Sequence, residues 1–397
     1  MVLMLPQRLT FDPADDAAFF AEVPAKPAVF LLRGESGEPY VSKSSNLRRR
    51  VERLLGETEG ISRRLNLRER AKLLEYALTG SDFESGLLLY QVLRQEFPKT
   101  YADRLRLRPA PLLRFHVENR YPRISVTTKL GSAKSGSTYY GPFPSRVMAE
   151  KFANDALDFF KMRRCVEELN PDPAFPGCVY SEMKMCLAPC FKGCTDDEYA
   201  AEVERVRNFF DSGGQSLLRE IALERNKASE EMHFETAALL HAKLEKLKPV
   251  VAQLPEIVRR IDQLSALMVQ PSAEPDSVTL FRIEGGRFSP PVQLPLNVAQ
   301  EAGGKPLSME SRMHEVLAPV EIPQASAQET MEQLAILKRW YYRTTKTGEL
   351  FLADERGDLP WRRIVRGVSR VFKGEKEAPD LSESAKDYWL FRAKVRD

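Results

Sequence analysis

Cysteine is missing from almost all of this 397-residue sequence: there is none before residue 165 and none after 194, and all five lie between, at Cys165, Cys178, Cys186, Cys190 and Cys194. That confinement argues against disulfides spread through the fold and for thiols gathered at one place. Long hydrophobic runs are also missing. The longest, such as AVFLL and LLLY, are strand- or helix-sized and fall well short of the roughly 18 apolar residues a membrane span needs, so a soluble chain with no membrane partner is expected. The opening MVLMLPQRLTFDPADD lacks the basic segment of a secretory leader and turns acidic by Asp12, which predicts a cytoplasmic location. Histidine is scarce too. His116, His233, His241 and His314 have no ligand spacing to one another, so no histidine-based site is expected.

Charge is nearly balanced, with 59 Lys and Arg against 56 Asp and Glu. The balance conceals basic runs before residue 115, NLRRRVER, SRRLNLRER and RLRLRPAPLLR, which suit either a polyanion partner or a solvated helix face. At this length two to four domains are expected, of α+β class. Residues 20–100 read as a small α/β domain: two strands from Ala28 joined by a Gly-Glu-Ser-Gly turn, a basic amphipathic helix, and further helices over 62–78 and 84–96. Residues 101–195 follow with strands near LLRFHV and RISVTT, a Gly/Ser/Lys-rich loop, the tetrad YGPF, a helix over 147–160, and the cysteines. Residues 196–252 read as two antiparallel helices broken at DSGGQS, with heptad-like apolar spacing through Ala228, Met232, Phe234, Ala237, Ala238, Leu240 and Leu244. After a linker near 270–276, residues 276–397 form a mixed C-terminal domain: a short hairpin, a helix over 326–342 ending in RWYY, and a charged tail.

The run CLAPCFKGC brings three thiols close in sequence, and with one or two from upstream they can converge on a soft metal. With no nearby histidine, an iron–sulfur cluster and Zn(Cys)₄ both fit; buried free thiols or disulfides are the plain alternatives.

PAVF, then YVSK ten residues on, then NLRRR, resemble the core of GIY-YIG nucleases. Further on, YYGPF, the cysteine spacing and KASEEMHFETAALLHAKLEKL resemble, in the same order, segments of the UvrC/Cho family of bacterial nucleotide excision repair, so the resemblance covers about residues 20–250. It implies a GIY-YIG-like fold in which one carboxylate holds a divalent ion, tyrosines position water, and Lys and Arg bind phosphate. Transferred onto this chain, the site retains Tyr40, Lys43 and Arg50, with Lys43, Arg48, Arg49 and Arg50 as phosphate-binding cations. Four positions depart from the pattern: Phe30 and Leu54 replace hydroxyl-bearing aromatics, Ser42 replaces a glycine, and Leu89 stands where the metal-binding glutamate belongs. Glu84 and Glu96 lie on the same helix but at positions that do not project to the same place. The resemblance thus implies a degenerate nuclease that still binds DNA, with Mg²⁺ or Mn²⁺ relevant only if the site is active.

The resemblance also implies a [4Fe–4S] cluster on Cys165, Cys178, Cys186 and Cys190, with zinc as the alternative, Cys194 surplus, and a structural role. It implies a UVR helical hairpin over 224–248 that presents Phe234, Glu235, Ala237 and Ala238 to a UvrB-like protein; Leu240-His241 replace the usual Arg-Asp pair, and a hairpin packed on its own chain is the alternative. Tyr140-Gly141-Pro142-Phe143 is either a packed turn or a DNA contact. Trp340-Tyr341-Tyr342 and Trp361-Arg362-Arg363 are either core with a cap or base-stacking platforms. No spaced aspartates or Gly-rich hairpins of a second nuclease site are found. The expected function is DNA binding in nucleotide excision repair; the rivals are an active structure-specific endonuclease and an interaction module that does not bind DNA.

Overall fold

Side-chain alternation and capping residues set the element boundaries in a computed structural model, which describes residues 4–57, 65–131, 136–297 and 307–375. The first unit runs β1 (Gln7–Thr10), α1 (Asp16–Glu22), β2 (Ala28–Arg33), β3 (Tyr40–Ser44), α2 (Leu47–Leu55), β4 (Leu73–Leu78), α3 (Asp82–Glu96) and α4 (Tyr101–Leu105). Its antiparallel sheet has the order β1-β4-β2-β3. β2 is apolar on both faces because both are covered: Ala28, Phe30 and Leu32 meet Leu47, Val51 and Leu54, whereas Val29 and Leu31 meet Val92, Leu88 and Leu89 of α3. The helix expected over 62–78 is corrected. Residues 73–78, LLEYAL, form a central strand paired with both β1 and β2, and a strand buried on both faces lacks the polar alternation that would mark it. Residues 62–64 lie outside the described segments. Leu5, Phe11 and Phe19, upstream of the expected boundary at 20, also belong to this unit's core.

The chain continues through β5 (Leu112–Phe115), β6 (Ile124–Thr127), β7 (Thr138–Gly141), α5 (Arg146–Leu157) and α6 (Val179–Glu182) to α7 (Asp196–Asp211), α8 (Gln215–Glu230), α9 (Phe234–Ala252) and β8 (Arg259–Arg260). β8 returns to close a sheet of order β6-β5-β7-β8. The expected pair of helices over 196–252 is therefore three. A capping box, Thr195 with Glu198, starts α7, and Gly213 and Gly214, at φ 57° and 90°, turn the chain into α8. A Cβ on Gly214 would lie 2.5 Å from Val251, so the turn also permits the close approach of α9.

The last unit comprises β9 (Ser265–Pro271), β10 (Ser277–Glu284), β11 (Arg287–Phe288), β12 (Val292–Pro295), α10 (Met309–Leu317), α11 (Ala327–Tyr341), β13 (Glu349–Leu352) and α12 (Trp361–Lys373). The sheet order is β11-β10-β9-β13, with β12 also pairing β10. The linker expected near 270–276 is a hairpin connection instead, and Gln270 is fully buried in β9. The expected charged tail lies beyond the described residues, as do residues 132–135 of the Gly/Ser/Lys-rich loop.

The whole is a multi-domain α+β chain whose units share apolar surface. Phe83 of α3 packs edge-on against Phe281, Phe288 and Trp340 at 5.2, 5.2 and 6.0 Å. Tyr90 and Tyr101 both donate to Glu332 of α11, at 2.8 and 2.7 Å. Gly80 approaches the end of β9 so closely that a Cβ would meet the Pro271 carbonyl oxygen at 2.1 Å.

Candidate functional site

β3 is an edge strand, so its side chains alternate between the α2 face and the α3 face of the first sheet. Tyr40 takes the α2 face, and its hydroxyl accepts a 2.6 Å hydrogen bond from Arg50 Nη2. Asn46 caps α2 by accepting from the Arg49 N–H at 3.0 Å, so the start of the helix and its arginines face the same open space. That space is a cavity of about 750 Å³ lined by Ser44, Ser45, Asn46, Arg49, Arg50, Arg53, Leu54 and Leu65. Three guanidiniums and no carboxylate stand among these lining residues. Arg50 Nε is buried with no partner among the described residues. Phe30 is fully buried, paired in register with Ser42 and 6.1 Å from the Tyr40 ring.

Lys43 takes the other face. Its register partner is Val29, and its ammonium meets Asp82 at the start of α3 at 2.5 Å. Asp82 also pairs with Arg343; burial acts to raise its pKa, but Lys43 and then Arg343 hold it below the ordinary value. The structure therefore brings together Tyr40 and Arg50, with Leu54 in the cavity wall, and puts Lys43 across the sheet. Leu89 is on the α3 face, packed in the cluster of Val29, Leu31, Val41 and Val92. Neither neighbouring acid is free. Glu84 Oε2 accepts the Gly80 N–H at 2.7 Å, and burial, with Glu274 adding to it, pushes its carboxyl up to about 7. Glu96 pairs with Arg33 at 3.2 Å. Arg48, expected among the phosphate ligands, donates to the Val23 and Ala21 carbonyls at 2.7 and 3.0 Å and so caps α1. Sequence reasoning passed over Asn46, Arg53 and Asp82. The first two are legible as an N-cap and as the residue one turn after Arg49; Asp82 carries no local signal.

The five cysteines are half-buried free thiols. Burial first, then the charges of Cys165, Cys190 and Cys178, push the Cys186 thiol up to about 11, with the Ala188 N–H acting against them. Cys194 stands apart. Burial, Glu198 and Asp196 raise it, with Cys190 its lone thiol neighbour among the causes, and its side chain packs on the main core. Donors are aimed at sulfur: the Ala188 N–H reaches Cys186 at 3.3 Å and Arg163 reaches Cys165 at 3.6 Å. Lys184, Ala188 and Lys192 adopt left-handed φ of 56°, 59° and 61°, each at a backbone cost for a non-glycine residue. Among the described residues no three potential ligands stand at metal-binding separations.

On the helical hairpin α8–α9, Phe234, Leu239, Met232 and Leu223 are 66, 73, 76 and 70% exposed. Glu235 and Ala238 are exposed and Ala237 is half-buried. Of the apolar positions expected to form a heptad seam, Ala228 and Leu244 alone are buried, because the tip projects from the body. YGPF is packing: Tyr140 is buried and donates to Asp211 at 2.8 Å, and Phe143 is buried beside Phe152. Trp340 is core. Tyr342 donates to the Pro142 carbonyl at 2.9 Å, and Trp361 packs tilted against His314 with ring centroids 4.1 Å apart.

A family model described as the middle domain of UvrC/Cho excinuclease matches residues 110–209. Proteins named UvrABC system protein C resemble the chain over longer stretches. The one from Alcanivorax borkumensis is 28% identical over 242 residues, 60% of this chain and 39% of that protein. The one from Bdellovibrio bacteriovorus is 29% identical over 236 residues, 58% of this chain and 36% of that protein. The one from Acetivibrio thermocellus is 22% identical over 354 residues, 88% of this chain and 56% of that protein. The chain therefore spans between about a third and just over half of these relatives' lengths. No solved structure matches it significantly.

Proposed function

We propose, for a chain that belongs to the UvrC/Cho excinuclease family, a role in nucleotide excision repair in which a GIY-YIG-like unit binds DNA phosphate without cutting it. The observation that carries this reading is the cavity beside α2: three arginines and a helix N-terminus face it, and no carboxylate stands in its described lining. Such a surface attracts a polyanion, and its described lining offers no carboxylate to hold a divalent ion against a scissile phosphate. The exposed apolar tip of α8–α9 is read as a UVR-type hairpin that meets a helix of a UvrB-like partner. Cys165, Cys178, Cys186 and Cys190 are read as ligands of a soft metal, a [4Fe–4S] cluster or zinc, that when bound would brace the loop against the first turn of α7.

The test is fluorescence anisotropy on a lesion-bearing duplex, alongside a nicking assay with Mg²⁺ or Mn²⁺, with and without a UvrB protein. The expected result is binding that Arg49→Gln with Arg53→Gln weakens on every sequence, and intact DNA throughout. Metal-dependent nicking overturns the loss of catalysis; binding indifferent to both arginines overturns the phosphate site.

A further inference from the structure

α12 carries Arg362, Arg363, Arg366, Arg370 and Lys373 and no acidic residue within its thirteen positions. Arg370 is committed inward, to Glu349 of β13 at 2.8 and 2.6 Å. At roughly 100° per residue, Arg362, Arg366, Ser369 and Lys373 fall in one narrow stripe, and the buried Ile364, Gly367, Val368 and Val371 lie diametrically opposite. The buried side is pinned: Ile364, Val368 and Val371 belong to the core cluster under the third sheet, and Gly367 sits so near Phe351 that a Cβ would lie 2.2 Å from its ring. Arg362 and Arg366 meet no carboxylate among the described residues, and Lys373 has a loose, exposed pairing with Glu375 at 3.9 Å.

We infer that the outer stripe of α12 is a second docking surface for nucleic-acid backbone, on a different sheet from the α2 cavity. The inference rests on the DNA-binding reading above. Three cations spread along about 16 Å of a rigid helix match a polymer that carries a charge every ~1.7 Å and needs no register. A lipid surface fits poorly, because the apolar face that would enter it is consumed by the protein's own core. A protein partner fits poorly as well, since Phe372, at 45% exposure, is the sole large exposed apolar side chain on the helix.

The experiment is a salt titration of the full chain binding a 30-base-pair duplex, comparing wild type, R362Q/R366Q/K373Q, the cavity variant R49Q/R53Q, and K227Q/K243Q/K246Q on the hairpin as a control for net charge. The α12 variant is expected to bind at least about 10-fold more weakly near 0.1 M salt, with a log–log slope shallower by about 2–3, while the hairpin control stays at wild type. An unchanged slope in the α12 variant, with the cavity variant weakened, overturns this inference and leaves the proposed function standing. Absence of duplex binding by the wild type overturns both. Equal loss in the hairpin control, or tighter binding of acidic phospholipid vesicles than of duplex through the same arginines, also overturns it.

Discussion

Replacing Glu84 with Gln tests the electrostatics of the junction at the start of α3. Glu84 holds its proton up to about 7 because it is buried at the start of α3 with Glu274 as a like-charged neighbour. Its value in an unfolded chain is close to 4.5. Between those two pH values the native state binds more protons than the unfolded state, so this group makes stability fall as pH rises through the window, with no further change above it. A shift of that size corresponds to about 3 kcal/mol, and residual water contact trims it to roughly 2. Glutamine keeps an acceptor for the Gly80 N–H and removes the titration. Loss of a negative charge near a helix N-terminus subtracts about 0.3–1 kcal/mol at high pH. Urea unfolding of both proteins from pH 4.5 to 8.5 is expected to show near-equal stability at the acid end and a variant more stable by about 1–2 kcal/mol at pH 8. A difference that does not change with pH would refute the argument, because it would mean the carboxylate ionises as easily in the folded protein as outside it.

Other outcomes follow from single contacts. Glu349→Ala removes the buried carboxylate that accepts two bonds from Arg370 and should lower stability by about 1–3 kcal/mol, read as a shift in denaturation midpoint. Tyr40→Phe removes the acceptor beside the already underpartnered Arg50, lowering stability by about 1–3 kcal/mol while leaving duplex affinity within about twofold. Gly80→Ala drives a methyl into the Pro271 carbonyl and should destabilise by about 1–3 kcal/mol, with faster amide exchange at both α3 and β9. Cys186→Ser should abolish metal retention, measured by elemental analysis and visible absorption after anaerobic purification, whereas Cys194→Ser should retain it; retention by both would remove Cys186 from the ligand set.

Local signals were readable where a turn or an amphipathic pattern punctuates the chain. β2 and β3 follow from strand-sized apolar runs joined by a Gly-containing turn and α2 from its basic amphipathic pattern, and α3, α5 and α11 lie within two or three residues of their expected spans. β4 was not readable, since both faces of LLEYAL are covered and its apolar residues fit a helix equally well. Arg48 and Arg49 are adjacent and chemically identical, and their fates diverge because the end of α1 happens to lie under one of them. The separation of Lys43 from Tyr40 was in principle legible, because an odd offset along a strand changes face. The burial of Glu84 beside Glu274 was not: it depends on segments about 190 residues apart in sequence.

Three residues at and just past the end of α11 reach the other two units: Trp340 meets Phe83, Tyr342 the Pro142 carbonyl, and Arg343 Asp82. The consequence concerns how the protein can be cut and recombined. A fragment ending after α4 would carry an uncovered stripe of Phe83, Leu87 and Tyr90 into water, and grafting such a unit onto another scaffold would require that scaffold to supply its own substitute for α11.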